Sequence, residues 1–247
     1  MTSPRGNPVT FTVRDGTNDG SLTYGTMNGQ MGYQGDEYGL AARHLTGWAL
    51  DVGAHIGIIS VALAVDNPDL HVVAVEVLPD NVALMRRNVL DNGLGERVHI
   101  VEAAAGGPGE TSRTVYWNWR DHPGTDPGYA EGSRYIANQF LWDALQGRGE
   151  CDAIDVPVVS IGAIRERFGI EDIAFAKIDC EGCEWAFLDD PEVAHVETLI
   201  GEYHGDDAGE TPISEGQAEI RRRLEPTHVV EFATDAPVFG IFTASRR

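Results

Sequence analysis

The sequence has few cysteines and no long hydrophobic run. Its three cysteines cannot build a disulfide framework, and they lack the second pair of ligands that a structural zinc site needs, so we expect a protein of a reducing cytoplasm. Cys180 and Cys183 are predicted to be packing residues. Because no stretch of about 18 apolar residues and no basic, apolar leader occurs, we expect neither membrane insertion nor export.

Positive charge is scarce as well. Thirty-nine acidic residues stand against eighteen basic ones, which gives a formal net charge of −21. Such a surface repels phosphate backbones, so nucleic acid is not an expected partner. The hydrophobic fraction of 42% excludes a wholly disordered chain. The 247 residues are predicted to form one compact domain with a small N-terminal appendage.

The appendage is predicted to comprise residues 1–46. It begins with an expected strand, Val9–Val13, and continues to Tyr38 in a segment rich in Gly, Thr, Asn and Asp, which predicts loops. Because the part from Gly20 to Tyr38 combines flexible residues with aromatic ones, we expect it to act as a lid over the functional site.

From residue 47 onwards, short apolar runs alternate with helical patterns. The order strand, helix, strand, helix, strand is typical of a parallel sheet that is covered by helices on both faces, so the fold is predicted to be α/β. The predicted strands are Trp48–Val52, His71–Glu76, Val98–Val101, Ile154–Val159, Ile173–Asp179, Val196–Glu202, Thr227–Phe232 and Val238–Phe242.

Residues 105–150 interrupt this alternation. A strand-like segment, Thr114–Trp119, leads into a stretch rich in Gly, Pro and Asp that carries several Trp, Tyr and Phe residues. Long loops within compact domains are often functional, so we expect the part from Trp117 to Trp142 to help shape a binding pocket.

The segment Asp51-Val-Gly-Ala-His-Ile-Gly57 lies where the first predicted strand meets a helix, and open α/β sheets bind their ligands at such places. Only Gly53 and Gly57 match a G-x-G-x-x-G fingerprint, and an acid precedes them, which disfavours a pyrophosphate ligand. Glu76 ends the next strand, where a carboxylate can accept both hydroxyls of a ribose. Together these features indicate a ligand that contains adenosine.

Five segments carry a resemblance to a known family. They are Arg14–Asp19, Asp51–Gly57, Glu76 with Pro79–Asn81, Val101–Ala104, and Lys177–Glu184, which reads Lys-Ile-Asp-Cys-Glu-Gly-Cys-Glu. With these segments the sequence resembles the FkbM family of class I S-adenosylmethionine-dependent methyltransferases. His55 departs from the pattern, since the family usually has Asn there. The resemblance implies a Rossmann-like methyltransferase domain at residues 47–247, with seven mostly parallel strands and an antiparallel last strand.

The same resemblance implies which residues hold the cofactor. Glu76 would bind the ribose, Glu102 and Ala103 would border the adenine, and the glycine loop would cradle the amino-acid part. The full set of implied cofactor residues is Tyr38, Asp51, Gly53, Ala54, His55, Gly57, Glu76, Glu102, Ala103 and Asp179. An acidic pocket attracts the sulfonium cation, and the neutral product S-adenosylhomocysteine loses that attraction.

Acidic residues and a histidine follow two later strands. Asp179 and Glu181 follow the strand that begins at Ile173, and Glu202 and His204 end the next one. Histidine can take a proton from a hydroxyl near neutral pH, so His204 is predicted to be the general base, oriented by Glu202 or Asp179. Glu181 is predicted to be catalytic as well, and a place in a first helical turn is the alternative. The same four side chains could instead hold Mg²⁺, although no resident metal is predicted.

We therefore expect O-methylation of a hydroxyl on a small-molecule natural product or sugar. An N- or carboxyl-methyltransferase, a nucleotide-dependent oxidoreductase and a silent binding protein are the alternatives. The protein is expected to be a cytoplasmic monomer or homodimer that binds neither nucleic acid nor membranes. Only Lys177 among the eighteen basic residues is a lysine, a bias typical of GC-rich genomes that suits a bacterial biosynthetic pathway.

Overall fold

The computed structural model describes residues 1–30, 36–118, 134–136, 152–204, 215–233 and 240–247. These residues form two compact units. The first unit is Met1–Glu102, and the second unit consists of the described residues from Ala103 to Arg247. Among the described residues, no helix is both long enough and apolar enough to cross a membrane.

The first unit is built on three parallel strands. They are β1 (Gly47–Val52), β2 (Leu70–Glu76) and β3 (Val98–Glu102), and β2 pairs with both of the others. The helices of this unit are α1 (Asp19–Met27), α2 (Ile58–Asp66) and α3 (Pro79–Asp91), and a short 3-10 helix spans Leu40–Ala42. The central strand β2 is buried on both faces from Val72 to Val75, which explains its continuous apolar sequence.

The ends of α2 and α3 follow from local chemistry. α3 begins at Pro79, whose fixed φ suits a first helical position, and the chain leaves the helix at Asn92. α2 begins directly after Gly57, which has a φ of +84°. A Cβ atom at Gly57 would lie 2.8 Å from Cγ of Met85 on α3. Gly57 therefore permits both the turn and the close approach of the two helices.

The second unit carries the remaining strands and helices. Its strands are β4 (Ala104–Ala105), β5 (Ser112–Asn118), β6 (Arg134–Ile136), β7 (Asp152–Val159), β8 (Phe175–Ile178), β9 (Thr198–Tyr203), β10 (His228–Phe232) and β11 (Gly240–Arg246). Its helices are α4 (Ile161–Phe168), α5 (Glu184–Leu188) and α6 (Gly216–Leu224), with a 3-10 helix at Pro191–His195. Ser160 caps α4 by accepting the Ala163 N–H.

The predicted α/β fold is confirmed. Seven strands form one sheet in the order β10-β11-β9-β8-β1-β2-β3, and each of them corresponds to a strand predicted from the sequence. β11 runs antiparallel to both of its neighbours, as expected for the last strand. A second sheet has the order β4-β7-β5-β6. Its strands β5 and β7 correspond to the predicted strands Thr114–Trp119 and Ile154–Val159, but their pairing in a separate sheet was not predicted.

Two predictions for the N-terminal segment are wrong. Val9–Val13 is not a strand, because the N–H groups of Thr10 and Thr12 donate to the side-chain oxygens of Asn92 and Asn88 at 2.9 and 2.7 Å. Asn88 of α3 and Asn92 directly after it thus take the hydrogen bonds that a neighbouring strand would have taken. The loops predicted up to Tyr38 contain the helix α1, which the low helix propensity of its Gly and Thr residues concealed.

The prediction that Cys180 and Cys183 are packing residues is also wrong, because they form a disulfide. The chain turns back at Gly182, which has a φ of +104°, and the two Cα atoms come within 5.5 Å. This separation lies in the range that a disulfide requires.

Parts of the predicted lid and of the aromatic insert lie outside the described residues. These parts are residues 31–35, 119–133 and 137–151. The role of residues 1–46 as a lid and the role of the insert in forming a pocket therefore stay predictions.

Candidate functional site

The loop that follows β1 is shaped by three residues with positive φ. Gly53, His55 and Gly57 have φ values of +75°, +52° and +84°. The N–H groups of Gly53 and Ala54 both donate to the Val75 carbonyl, at 3.0 and 2.9 Å. Asparagine, expected from the resemblance where this chain has His55, favours the same left-handed region. His55 therefore adopts a backbone conformation that asparagine also favours.

Glu76 closes the loop from the end of β2. One carboxylate oxygen accepts the N–H groups of Val77 and Leu78, and the other accepts the N–H of His55, all at 2.8 Å. Burial raises the pKa of Glu76, and these hydrogen bonds oppose the rise. Since a carboxylate offers about four acceptor positions, the three described bonds leave room for a ligand hydroxyl.

Asp51 lies at the end of β1 and is fully buried. Its Oδ2 atom accepts the Ser60 hydroxyl of α2 at 2.5 Å. This bond ties the end of the strand to the first turn of the helix that follows the loop. Asp51 therefore contributes a fixed negative charge beside the loop.

A pair of charged residues that was not predicted as part of the site also contacts the loop. Arg14 donates to both oxygens of buried Asp19, at 2.8 and 2.9 Å, and the His55 ring lies 3.3 Å from the same carboxylate. Burial opposes the ionisation of Asp19, but hydrogen bonds from His55 and Arg14 outweigh it and lower the pKa. Arg14 and Asp19 are the two ends of a segment that carries the family resemblance. That resemblance was the sequence signal that could have placed them at the site.

Three further predicted cofactor residues lie in different surroundings. Glu102 ends β3 and is exposed, with its carboxylate 3.3 Å from Arg86. Tyr38 is buried, and its carbonyl accepts a hydrogen bond from Arg43. Ala103 is buried at the start of the second unit.

The groups of the first unit fit S-adenosylmethionine. Glu76 offers an acceptor for a ribose hydroxyl, and Asp51 and Asp19 supply negative charge suited to an ammonium or sulfonium cation. Arg14, beside the loop, supplies donors suited to a carboxylate. These residues match the hydroxyl, cationic and carboxylate groups of the cofactor.

In the second unit, four carboxylates surround one imidazole, and we call Asp179, Glu181, Glu184, Glu202 and His204 the His204 cluster. The buried Oε1 of Glu184 accepts the His204 N–H at 2.7 Å and lies 3.2 Å from its Nδ1 atom. Nε2 of His204 lies 3.6 Å from Glu181 and 3.8 Å from Glu202. The His204 carbonyl accepts the indole N–H of Trp185 at 2.8 Å.

The imidazole of His204 carries a proton at neutral pH. Burial acts to lower its pKa, but the hydrogen bond to Glu184 and the charges of Glu184, Glu181 and Asp179 outweigh burial and raise the pKa to about 10. His204 is therefore an imidazolium that is held among carboxylates. A general base requires the neutral form, which this environment restricts to alkaline solution.

Asp179 and Glu181 lie on the loop that follows β8. The ammonium group of buried Lys177 is 3.5 Å from Oδ2 of Asp179. Glu181 is exposed and has a φ of +56°. Three side chains here each offer one possible metal ligand: Asp179, Glu181 and His204. The three ligand atoms lie within 4.8 Å of one another, a spacing that suits a metal ion.

The structure brings together the four residues predicted to be catalytic, and it adds Glu184. Glu184 is the first residue of α5. Its contact with His204 joins residues from two different elements, which the helical pattern does not reveal.

No curated protein matches the sequence. Among solved structures, the chain is similar to a precorrin-6y C5,15-methyltransferase from Geobacter metallireducens, with 14% identity, a TM-score of 0.46, and coverage of 88% of this chain and 90% of that one. It is also similar to TrmK of M. capricolum in complex with S-adenosylhomocysteine, with 8% identity, a TM-score of 0.45, and coverage of 84% and 66%. The FkbM methyltransferase domain matches residues 51–228, more than half of the chain. The chain belongs to this family.

This FkbM protein is an S-adenosylmethionine-dependent methyltransferase. The matched residues include the loop after β1, Glu76 and the whole His204 cluster. Arg14 and Asp19 precede the matched range, so the methyltransferase extends its loop contacts beyond the family domain.

Proposed function

We propose that this methyltransferase holds S-adenosylmethionine with residues of its first unit and methylates a hydroxyl oxygen of a small-molecule natural product or sugar. The observation that supports a hydroxyl acceptor is the His204 cluster, because an alcohol must lose a proton during transfer and these side chains can receive one. When bound, the cofactor supplies an electrophilic methyl group on a sulfonium cation.

The proposed cofactor residues each have a defined task. Glu76 accepts a ribose hydroxyl at the position that its three backbone contacts leave open. Asp51 and Asp19 supply negative charge, and Arg14 supplies donors for a carboxylate. Tyr38, Glu102 and Ala103 stay proposed contacts through the family resemblance.

The proposed proton acceptor is the His204 cluster as a unit. At neutral pH the imidazolium form of His204 cannot take a further proton, so the exposed carboxylate of Glu181 receives it. In alkaline solution His204 becomes neutral and acts as the base. Asp179 and Glu202 orient the imidazole through their charges.

We propose that the transfer needs no metal ion. The grouping of Asp179, Glu181 and His204 makes Mg²⁺ a specific second candidate, in which the ion would replace the His204 proton and activate the hydroxyl. A chelator that leaves turnover unchanged supports the proposal. Inactivation that added Mg²⁺ reverses would favour the metal instead.

The proposed acceptor is a small molecule rather than nucleic acid or a membrane surface, because a net charge of −21 repels phosphates. A cytoplasmic monomer or homodimer, acting in natural product biosynthesis, is proposed on composition alone.

The test uses S-adenosylmethionine with a deuterated methyl group and a panel of hydroxylated, amino and carboxylic metabolites. We expect hydroxylated compounds alone to gain the labelled methyl in mass spectra, and a Glu181→Gln, His204→Ala double variant to lose this activity while it still binds cofactor. Labelling confined to amines or carboxylates would refute the hydroxyl acceptor.

A further inference from the structure

The disulfide between Cys180 and Cys183 lies inside the segment from Lys177 to Glu184, one of the five segments that carry the family resemblance. A Cys-x-x-Cys spacing is typical of pairs that undergo thiol–disulfide exchange. The covalent ring encloses Glu181, one of the proposed proton acceptors. A change in the bond therefore acts directly on the His204 cluster.

The two sulfur atoms differ in accessibility. Cys183 is buried at the N-terminal end of α5, with 3% of its surface exposed, whereas Cys180 is half-buried. A small thiol can therefore approach the sulfur of Cys180 more readily than that of Cys183. Redox-active pairs need one reachable sulfur and one partner close enough to re-form the bond.

Glu184 connects the disulfide to the imidazole. Its Oε2 atom accepts the Gly182 N–H at 2.9 Å and lies 3.8 Å from the sulfur of Cys180. Its Oε1 atom accepts the His204 N–H at 2.7 Å. One buried carboxylate thus contacts both the ring closed by the disulfide and the residue at the end of β9.

We propose that Cys180 and Cys183 form a reversible thiol–disulfide pair, which low-molecular-weight thiols reduce and low-molecular-weight disulfides re-form, and whose state sets the geometry of the His204 cluster. The redox chemistry itself does not depend on the identity of the methyl acceptor. Its effect on turnover rests on the proposed function.

Reduction of the disulfide between Cys180 and Cys183 consumes two small thiols. The first thiolate attacks the sulfur of Cys180, the bond between the two cysteines breaks, and Cys183 leaves as a thiolate that takes a proton. The second thiolate attacks the small-molecule sulfur of the mixed disulfide and releases Cys180, which also takes a proton. The protein disulfide gains two electrons, and two thiols become one small disulfide.

Reduction changes the cluster in two ways. The new S–H group of Cys180 can donate to Oε2 of Glu184 and compete with the Gly182 N–H for that atom. The open ring also frees Glu181 from the left-handed backbone region, which non-glycine residues rarely occupy. We therefore expect the oxidised form to be the faster enzyme, and cofactor binding in the first unit to be the same in both forms.

The test compares oxidised and dithiothreitol-reduced protein under native conditions. Alkylation and peptide mass mapping should show both Cys180 and Cys183 labelled after reduction and protected again after treatment with oxidised glutathione. The turnover number should fall at least about tenfold on reduction, since small displacements of reacting groups cost up to about a hundredfold. A pair that stays unlabelled in native protein, or equal turnover numbers in both forms, would overturn the inference.

Variants and a spectroscopic measurement separate this inference from the proposed function. Cys183→Ser should show the slow rate and no response to thiols, whereas Cys151→Ser should respond like the unmodified protein. The NMR signals of the His204 imidazole should differ between the oxidised and reduced forms without any acceptor present. If they differ but no hydroxyl is ever methylated, the proposed function alone fails; if methylation proceeds and these signals stay fixed, this inference alone fails.

Discussion

Replacement of Glu184 by glutamine tests whether one buried carboxylate holds the His204 cluster together. The carboxylate accepts the N–H groups of His204 and Gly182 at 2.7 and 2.9 Å, on different oxygens. Glutamine has the same shape, but one side of its amide is a donor, so it can accept only one of these N–H groups. The variant therefore loses a hydrogen bond and the negative charge beside the imidazole.

The magnitude follows from the titration of His204. A pKa of about 10 against an ordinary value of 6.5 corresponds to at most roughly 5 kcal/mol of stabilisation, at about 1.36 kcal/mol per pH unit. Removal of one partner from a buried ion pair costs about 3–5 kcal/mol, so we expect Glu184→Gln to lower the free energy of unfolding by about 3 kcal/mol near neutral pH. The pKa of His204 is higher in the folded protein than in the unfolded protein. This stabilisation is therefore complete below pH 6.5 and disappears as the pH rises through about 10.

The assay is urea unfolding of both proteins near neutral pH and again above about pH 10, combined with an NMR titration of His204. The stability difference should shrink at the higher pH, and the His204 pKa should fall in the variant. Glu225→Gln is the matched control, since its exposed pair with Arg221 contributes less than about 1 kcal/mol. A loss below about 1 kcal/mol at neutral pH, or an equal loss at both pH values, would refute this reasoning.

Three further changes test other parts of the structure. Glu76→Gln should weaken S-adenosylmethionine binding by about 1.5–3 kcal/mol in calorimetry, and an unchanged dissociation constant in folded protein would remove the ribose contact. Above about pH 10, where His204 is neutral, His204→Ala should bind cofactor normally and lose about 10²–10⁴ in turnover; near-full turnover at that pH would leave positioning or Glu181 as the source of catalysis. Asn88→Ala should cost about 2–3 kcal/mol in thermal unfolding, because fully buried Asn88 bonds both Thr12 and Ile56, and a cost below about 1 kcal/mol would show that these bonds contribute little.

The seven-stranded sheet could be predicted because each strand has an apolar sequence that can be recognised without knowledge of its neighbours. In β2, Val72 to Val75 are buried on both faces, so the sequence reads as an unbroken apolar run whatever its neighbours are. Asp51 and Glu76 lie at the ends of strands that can be recognised from local sequence. Their positions beside the loop could therefore be predicted as well. The position of each is fixed by residues close to it in sequence.

The features that could not be predicted depend on residues far apart in the chain. The charge of Asp19 is stabilised partly by His55. The N–H groups of Thr10 and Thr12 donate to the side chains of two asparagines, at the end of α3 and directly after it, rather than to a strand. Likewise, Glu184 begins α5, yet its carboxylate accepts the N–H of His204, which directly follows β9. Periodicity and local propensity contain no information about such contacts.

The most direct test of the proposed function is carbon-13 NMR of the product formed from S-adenosylmethionine labelled in its methyl group. Each hydroxylated compound of the metabolite panel is incubated with the oxidised enzyme, both with and without a chelator. We predict a single new methoxy signal, coupled through oxygen to a carbon of the acceptor. A signal from a methyl group on nitrogen or on an ester, or no transfer to any hydroxylated compound, would contradict hydroxyl methylation by this enzyme.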